Sequence, residues 1–322
     1  MKQWIRSVVV AVFAGAAAIA ACAQSFPSRP VRLLVPFAPG GTTDVVARVV
    51  GAKLAEVMGQ PVVVDNRAGG STIIGTEALA RAAPDGYTIM LATPDFTVNP
   101  SLQPKLPYDT LKDFAPIALI GTYPMVMVAN ADHKLASAGD VVAQAKARPG
   151  QINYASAGNG SMPHLCAEMF NSLAGVKLTH VPYKGNGPAV ADLLAGHVSL
   201  LFTGGPAVAS HVKSGKLKML AVSTAKRHAS LPDVPTVAES AVPGYEVTAW
   251  FGFIAPAGVP QEVIARLNAD ISRALQAPEV RGKLSSLGAE LSAGTPEAFG
   301  KLIRDEIDKW GRVVRAANIK ME

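Results

Sequence analysis

Apolar runs and amphipathic runs alternate along this chain. "VRLLVPF" (31–37) is nearly continuous in apolar residues and predicts a buried strand. "DVVARVVGAKLAEVMG" (44–59) sets Val46, Val50, Leu54 and Val57 about one turn apart, with Gly59 where a helix C-cap belongs. "PVVVDNR" (61–67) predicts a second strand. Strand, helix and strand with short links make a βαβ unit on a parallel sheet. "TIIGTEALARAAPDG" (72–86) then predicts a helix closed by a Pro-Asp-Gly turn, and "YTIMLAT" (87–93) a strand. The segment from Thr93 to Lys112 is rich in Pro and Asn and predicts irregular structure. "FAPIALIGTYPMVMVAN" (114–130) predicts two strands in succession.

The layout restarts near Ala136. "SAGDVVAQAKARPG" predicts a capped helix, "INYASAGNGS" (152–161) a short strand running into a glycine-rich loop, and "MPHLCAEMFNSLAG" a helix. "KLTHVPYKG", "SLLFTGG" and "LKMLAVST" predict strands, separated by helices over "NGPAVADLLAGHV" and "GPAVASHVKSGK". "YEVTAWFGFIAPAGVP" leads into two final helices, "QEVIARLNADISRALQ" and "TPEAFGKLIRDEIDKWGRVVRAA". The chain therefore reads as two α/β halves. They share one device, strand then glycine-rich turn then helix, in "PFAPGGTTD" and in "YASAGNGSMPH".

Composition narrows the classes. Of 322 residues, 49% are hydrophobic and 17% charged, which is enough to build cores and argues against disorder. The first 23 residues have the form of a secretory signal peptide: Lys2 and Arg6, then an apolar run too short to span a bilayer, then Ala21-Cys22-Ala23 as a cleavage site. Ile19-Ala20-Ala21-Cys22 also reads as a lipoprotein box that would lipidate Cys22. Cleavage after Ala23 is favoured, and it places the mature protein in the periplasm. Loss of Lys2 and Arg6 leaves 28 basic against 24 acidic residues, a mild +4 with no polybasic run, so nucleic acid is not an expected partner. Cys166 would then be the one remaining cysteine, without a disulfide, and it reads as a small buried hydrophobe. No Cys/His spacing fits a metal, and no cofactor is expected.

The two loops carry the candidate chemistry. A helix N-terminus offers free N–H groups and partial positive charge, and glycines let a ligand approach the backbone. In the first loop Gly40 and Gly41 open amides, Thr42 and Thr43 offer hydroxyls, and Thr43 or Asp44 is the expected N-cap. Two such loops in different halves, at the C-terminal edges of parallel strands, point to one ligand site. The phosphate fingerprints fail. Pro163 stands where G-x-G-x-x-G needs its third glycine, and no G-x-x-x-x-G-K-[ST] occurs. Ser156 in "YASAG" resembles a nucleophile elbow, but Tyr154 replaces the first glycine of G-x-S-x-G. Ser161 and His164 share a helix face, yet no base and orienting acid complete a set, so no enzyme is expected. His164 reads as a ligand hydrogen-bonder or as a structural residue of the helix start. No Arg or Lys occurs in either loop, which suits a carboxylate held by backbone amides; a neutral ligand is the alternative.

Longer stretches then carry a resemblance. "FPSRPVRLLVPFAPGGTTDVVAR", "VVVDNRAGGSTIIGTEALARAAPDGYTIMLAT", "NPSLQPKLPYDTLKDFAPIALIG", "VPYKGNGPAVADLLAGHVSLLF", "LKMLAVSTAKRHASLPDVPTVAES" and "WFGFIAPAGVP" resemble the Bug family, extracytoplasmic solute receptors of the tripartite tricarboxylate transporter type. The resemblance covers the chain from Phe26 to the last helix. It implies a monomeric, two-lobed α/β "Venus flytrap", with residues 26–124 and 249–322 in one lobe and 125–248 in the other. It also implies a small organic acid or amino acid gripped between Phe37–Asp44 and the loop of Ser156, Ala157, Gly158, Asn159, Gly160, Ser161 and His164, with transporter membrane subunits as partners. Thr93 and the end of "SLLF" resemble pocket positions, and Tyr183 is a further candidate. One departure is Thr203, where relatives carry an Asp. A threonine cannot pair with a ligand amine, which leans the expectation towards a plain carboxylic acid. Phe96 is expected in the core and Trp250 in packing where the chain crosses between lobes. A serine hydrolase and a sensor uncoupled from transport remain as other readings.

Overall fold

The computed structural model describes residues 26–103, 105–286, 288–316 and 319; the leader and Cys22 lie outside them. Strands β1 (Val31–Val35), β2 (Val62–Asn66) and β3 (Thr88–Ala92) pair in parallel in the order β2-β1-β3. β1 is buried at four of five positions, as a strand covered on both faces must be. The Thr42–Met58 helix between β1 and β2 buries Val46, Ala47, Val50, Leu54 and Met58, and ends at Gly59 with φ 67°. That left-handed cap is what the sequence placed there.

The strand β4 spans Phe114–Asn130 as one piece of 17 residues. Its first part, Phe114–Pro124, pairs antiparallel with β9 (Thr248–Pro256), which in turn pairs with β3. From Met125 on it changes partners to β7 (Leu200–Gly204) and β8 (Leu217–Val222). β7 continues in parallel to β5 (Asn153–Ser156), and β5 to β6 (Thr179–Pro182). A short β10 (Glu290–Leu291) borders β4 at Gly121 and Thr122. The parallel strands of each half are thus joined through antiparallel β4 and β9. The sequence predicted two strands over 114–130. Pro116 and Pro124 are tolerated within one strand because they sit at a register shift and at the partner change, where a missing N–H does least harm to the ladder.

Ser223 ties the two crossing strands together. Its buried hydroxyl accepts the Met125 N–H at 2.9 Å and donates to the Val247 carbonyl at 2.5 Å, just ahead of β9.

Three local expectations need correction. Residues 95–102 form a helix, Asp95–Leu102, despite Asn99 and Pro100. Six of its eight residues are buried, and it packs against the long Pro296–Ala316 helix, so tertiary burial overrides poor propensity. "GPAVASHVKSGK" forms a 3₁₀ turn at Gly205–Ala207 and then a short helix at Ala209–Lys213, because Pro206 suits only a helix start. Pro278–Ser286 is an additional helix that the sequence reading left unassigned. Phe96 lies in the core, edge-to-face with Phe114 at 5.2 Å, and Trp250 packs edge-to-face with Phe299 at 5.4 Å. Among the described residues no helix is long and apolar enough to cross a membrane.

Gly252 of β9 gives this packing a test. A Cβ there would sit 2.1 Å from Cζ of Phe299, a ring with no exposed surface and no room to retreat. Gly252→Ala is expected to cost about 1–3 kcal/mol and lower Tm by several degrees in a thermal melt. An unchanged Tm would show that the Phe299 seat is loose.

Candidate ligand-binding site

A cavity of about 740 Å³ opens between the two sheets. From the first come Pro36–Thr43, Ala68–Thr72, Thr93, Asp95 and Tyr123. From the second come Met125, Ala157, Gly158, Ser161–Pro163, Tyr183–Pro188 and Gly204. The glycine-rich segments after β1 and after β5 therefore meet at one space. Both stand at the C-terminal ends of parallel strands, where α/β sheets leave a crevice.

The first loop is built by Asp44. Its carboxylate, 3% exposed, accepts the Gly40 N–H at 2.9 Å, the Asn66 side-chain amide at 2.9 Å and Arg48 Nε at 2.9 Å. Burial pushes this carboxyl up, but the bonds from Arg48, Gly40 and Asn66 outweigh it and hold it below the usual range. The Gly40 N–H is consequently spent inside the loop. The helix N-cap is Gly41, in place of the expected Thr43 or Asp44, because Asp44 already sits in the first turn and folds back. The N–H groups of Gly41, Thr42 and Thr43 have no acceptor among the described residues. Thr42 Oγ1 is buried without a partner too, a state that costs about 1–3 kcal/mol unless something fills it.

The second loop is held from behind. Ser156 Oγ lies 2.6 Å from His180 Nε2, and Gly158 N–H donates to Ser156 Oγ at 3.1 Å. His164 Nδ1 accepts the Gly160 N–H at 3.0 Å, so its proton sits on Nε2. The His164 and His180 rings stack at 4.1 Å, and the Tyr154 ring packs 4.9 Å from His180 and 6.4 Å from His164. Burial pulls both imidazoles down to about 4, helped at His180 by the ring beside it, and both are neutral. Gly158 has φ 131°, and a Cβ on it would come within 3.2 Å of the Tyr183 carbonyl, so glycine is required for this close approach. Ser161 is the N-cap of the Met162–Ala174 helix, and its hydroxyl donates to the Gly158 carbonyl at 2.6 Å.

Of the residues the sequence nominated, ten reach the cavity: Phe37, Gly40, Gly41, Thr42, Thr43, Thr93, Ala157, Gly158, Ser161 and Tyr183. Six stand behind its wall. Asp44, Ser156, Gly160 and His164 brace the loops as described. Asn159 turns its carbonyl to Ser71, whose hydroxyl donates to it at 2.7 Å across the cleft. Thr203 is fully buried; side chains alternate along β7, so Gly204 faces the cavity and Thr203 does not. Tyr183 contributes its ring only, since its hydroxyl donates to Asp192 at 2.6 Å.

Other wall residues escaped the sequence reading. Ser71 and Thr72 carry positive φ of 50° and 75°, costly for non-glycine residues, and Asn99 braces them by donating to the Ser71 carbonyl and Thr72 Oγ1. Asn186, at the start of the Asn186–Leu194 helix, has a buried side-chain oxygen without a partner. Tyr123 lies stacked on Phe251 at 4.5 Å. Among the described residues Lys184 is the single cationic one on the wall, exposed at the rim, and no arginine lines the cavity. Asp95 is the one acidic residue among the described wall residues, 4% exposed, accepting from Thr93 Oγ1 at 2.9 Å and facing the Met162 N–H.

Comparison with known proteins follows the same lines. The family described as tripartite tricarboxylate transporter family receptor matches residues 46–319. Protein BugT of Bordetella pertussis is 42% identical over 318 residues, 98% of each chain. The solved structure of R. palustris Rpa4515 with adipate superposes with a TM-score of 0.88 at 37% identity, covering 92% of this chain and 99% of that one. MatC (Rpa3494) from Rhodopseudomonas palustris with bound malate gives 0.85 at 35%, covering 90% and 100%. These likenesses bear out the two-lobed α/β binding-protein fold expected from the sequence.

Asp95 yields a pH prediction. Burial raises its carboxyl to about 6, against the hydrogen bonds from Thr93, its own backbone and Met162. A carboxyl whose folded pKa is raised is charged at a cost to the fold. That cost is absent below about pH 4, grows between about pH 4 and 6, and is complete above. Asp95→Asn should therefore be more stable than wild type at pH 7, by up to about 3 kcal/mol, with the difference closing near pH 4. Urea unfolding of both proteins at the two pH values measures it, and the subtraction removes the other titrating groups. A difference independent of pH would place the Asp95 carboxyl in an ordinary environment.

Proposed function

The chain belongs to the tripartite tricarboxylate transporter family of receptors, and we propose that it captures a small carboxylate between its two glycine-rich loops and delivers it to the membrane subunits of such a transporter. It is a periplasmic-type solute-binding protein and not an enzyme. One observation carries the choice of ligand. Unpaired first-turn amides of the Thr42–Met58 helix and the orphan Thr42 hydroxyl meet at one cavity, with no arginine among its described wall residues. Preorganised amides at helix starts hold an anion without a cationic side chain. The relatives solved with adipate and malate support a carboxylate.

Nothing at Ser156 favours hydrolysis. Its hydroxyl is fully buried behind the wall, its His180 partner has no carboxylate bonded to the ring, and no substrate carbonyl in the cavity could reach it. We assign residues 26–124 and 249–322 to one lobe and 125–248 to the other, hinged where β4 changes partners and where Ser223 joins both crossings. Closure by rotation about that hinge would bring the loops onto the ligand. The leader of residues 1–23 fits export to the periplasm, with cleavage after Ala23 preferred over lipidation of Cys22.

Gly41→Val tests the first loop. Gly41 has φ −80°, and the atom nearest to an added Cβ is the Ala38 carbonyl oxygen at 3.9 Å, so the fold has room for the side chain. The valine would occupy the space in front of the free amides. The wild-type protein should gain about 2.7 kcal/mol of stability from a carboxylate supplied at a hundredfold excess over Kd, seen as a rise in Tm. The variant should keep its own Tm and lose most of that rise. An equal rise in both would remove the first loop from the site, and no rise with any carboxylate would end the reading.

A further inference from the structure

Asp95 has no counterpart in a cavity meant only for anions. Its side chain meets no cation among the described residues. Its hydrogen-bond partner is the Thr93 hydroxyl on its own side, and across the cleft it faces the Met162 N–H. That N–H is the first amide of the Met162–Ala174 helix, the end at which a helix attracts negative charge. The chain thus inserts a carboxylate of its own into the anion seat of the second sheet. The seat of the first sheet, at Gly41–Thr43, stays open.

The surroundings leave this carboxylate uncompensated. Tyr123 from β4 feels its charge, its ionisation pushed up by burial first and by Asp95 after it; Cys166 from the helix above is pushed up by burial, against Tyr245 and Lys309 and with a smaller push from Asp95, and both groups are buried and neutral. Lys184 lies at the exposed rim, and Asp44 is saturated by Arg48, Gly40 and Asn66 on the far side of the first loop. A ligand lying between the seats therefore meets donors at one end and an acceptor at the other. A second ligand carboxylate at the Asp95 end would find a like charge already facing that helix start, in a site of low dielectric.

Resting on the receptor reading above, we propose that Asp95 sets the ligand class: a monocarboxylate whose other end bears a hydrogen-bond donor, a hydroxyl or an ammonium group, in preference to a dicarboxylate. This revises the lean towards plain carboxylic acids drawn from Thr203. The acidic group that a ligand donor needs is supplied from the Asp95–Leu102 helix instead of from β7.

Titration calorimetry on the mature wild-type chain with matched sets of four and six carbons decides it: the α,ω-dicarboxylate, the ω-hydroxy acid and the ω-amino acid. Wild type should bind one donor-ended acid about tenfold or more tighter than the dicarboxylate of equal length, and Asp95→Asn should bring that ratio down about tenfold. Whether the hydroxy or the amino acid leads identifies the donor. A wild-type protein that takes the dicarboxylate as tightly, or a variant that keeps the wild-type ratio, overturns the role of Asp95 while leaving the receptor intact. Failure of wild type to bind any of these acids, with heat from an uncharged solute, overturns the carboxylate reading and this inference together. The wild-type ratio decides the matter even where the variant fails to fold.

Discussion

One strand shared by two sheets constrains everything else in this molecule. β4 pairs with β9 along its first part and with β7 and β8 along the rest, so the two sheets cannot take independent orientations. The parallel strands β1, β3 and β5 then end on the same cleft, and so do the turns that follow them. Each turn must start a helix, and each helix start leaves amides that its own turns cannot satisfy. The free amides on the cavity wall follow from this topology before any side chain is chosen.

Side chains then decide which of those amides remain available. Asp44 takes the Gly40 N–H and stiffens the first loop, leaving the three amides after it open. His164 takes the Gly160 N–H, Ser156 Oγ takes that of Gly158, and Asp95 faces that of Met162, so the second loop is largely self-satisfied. The two loops look alike in sequence and act differently. In the reading proposed above the first is the one left open to a ligand, while the second is largely closed by the chain itself. The neutral stack of Tyr154, His180 and His164 behind the second loop has a structural task, holding a glycine-rich segment that would otherwise be mobile.

The legible part of this fold and site was what local pattern encodes. The βαβ period, the Gly59 cap and the position of both glycine loops could be read from spacing alone, since each depends on neighbours within a few residues. The Asp95–Leu102 helix could not, because Pro94, Asn99 and Pro100 argue against it locally and only burial under the Pro296–Ala316 helix decides it. Asp95 escaped for the same reason: its partner Met162 lies in the other half of the chain. His164 was open between ligand and scaffold until its ring was seen to accept from Gly160. Thr203 misled because face alternation on β7, fixed by pairing with β4, turns it away from the cavity.

The Ser223 hydroxyl joins Met125 and Val247, and so fastens the two crossing segments to each other at one point. Two separate tethers would let the lobes shear or twist past one another. If the lobes move as proposed above, tethers knotted together would favour a single axis of rotation. Occupancy of the cleft would then translate into one angle between the lobes, a readout with few intermediate settings for a docking subunit to misjudge.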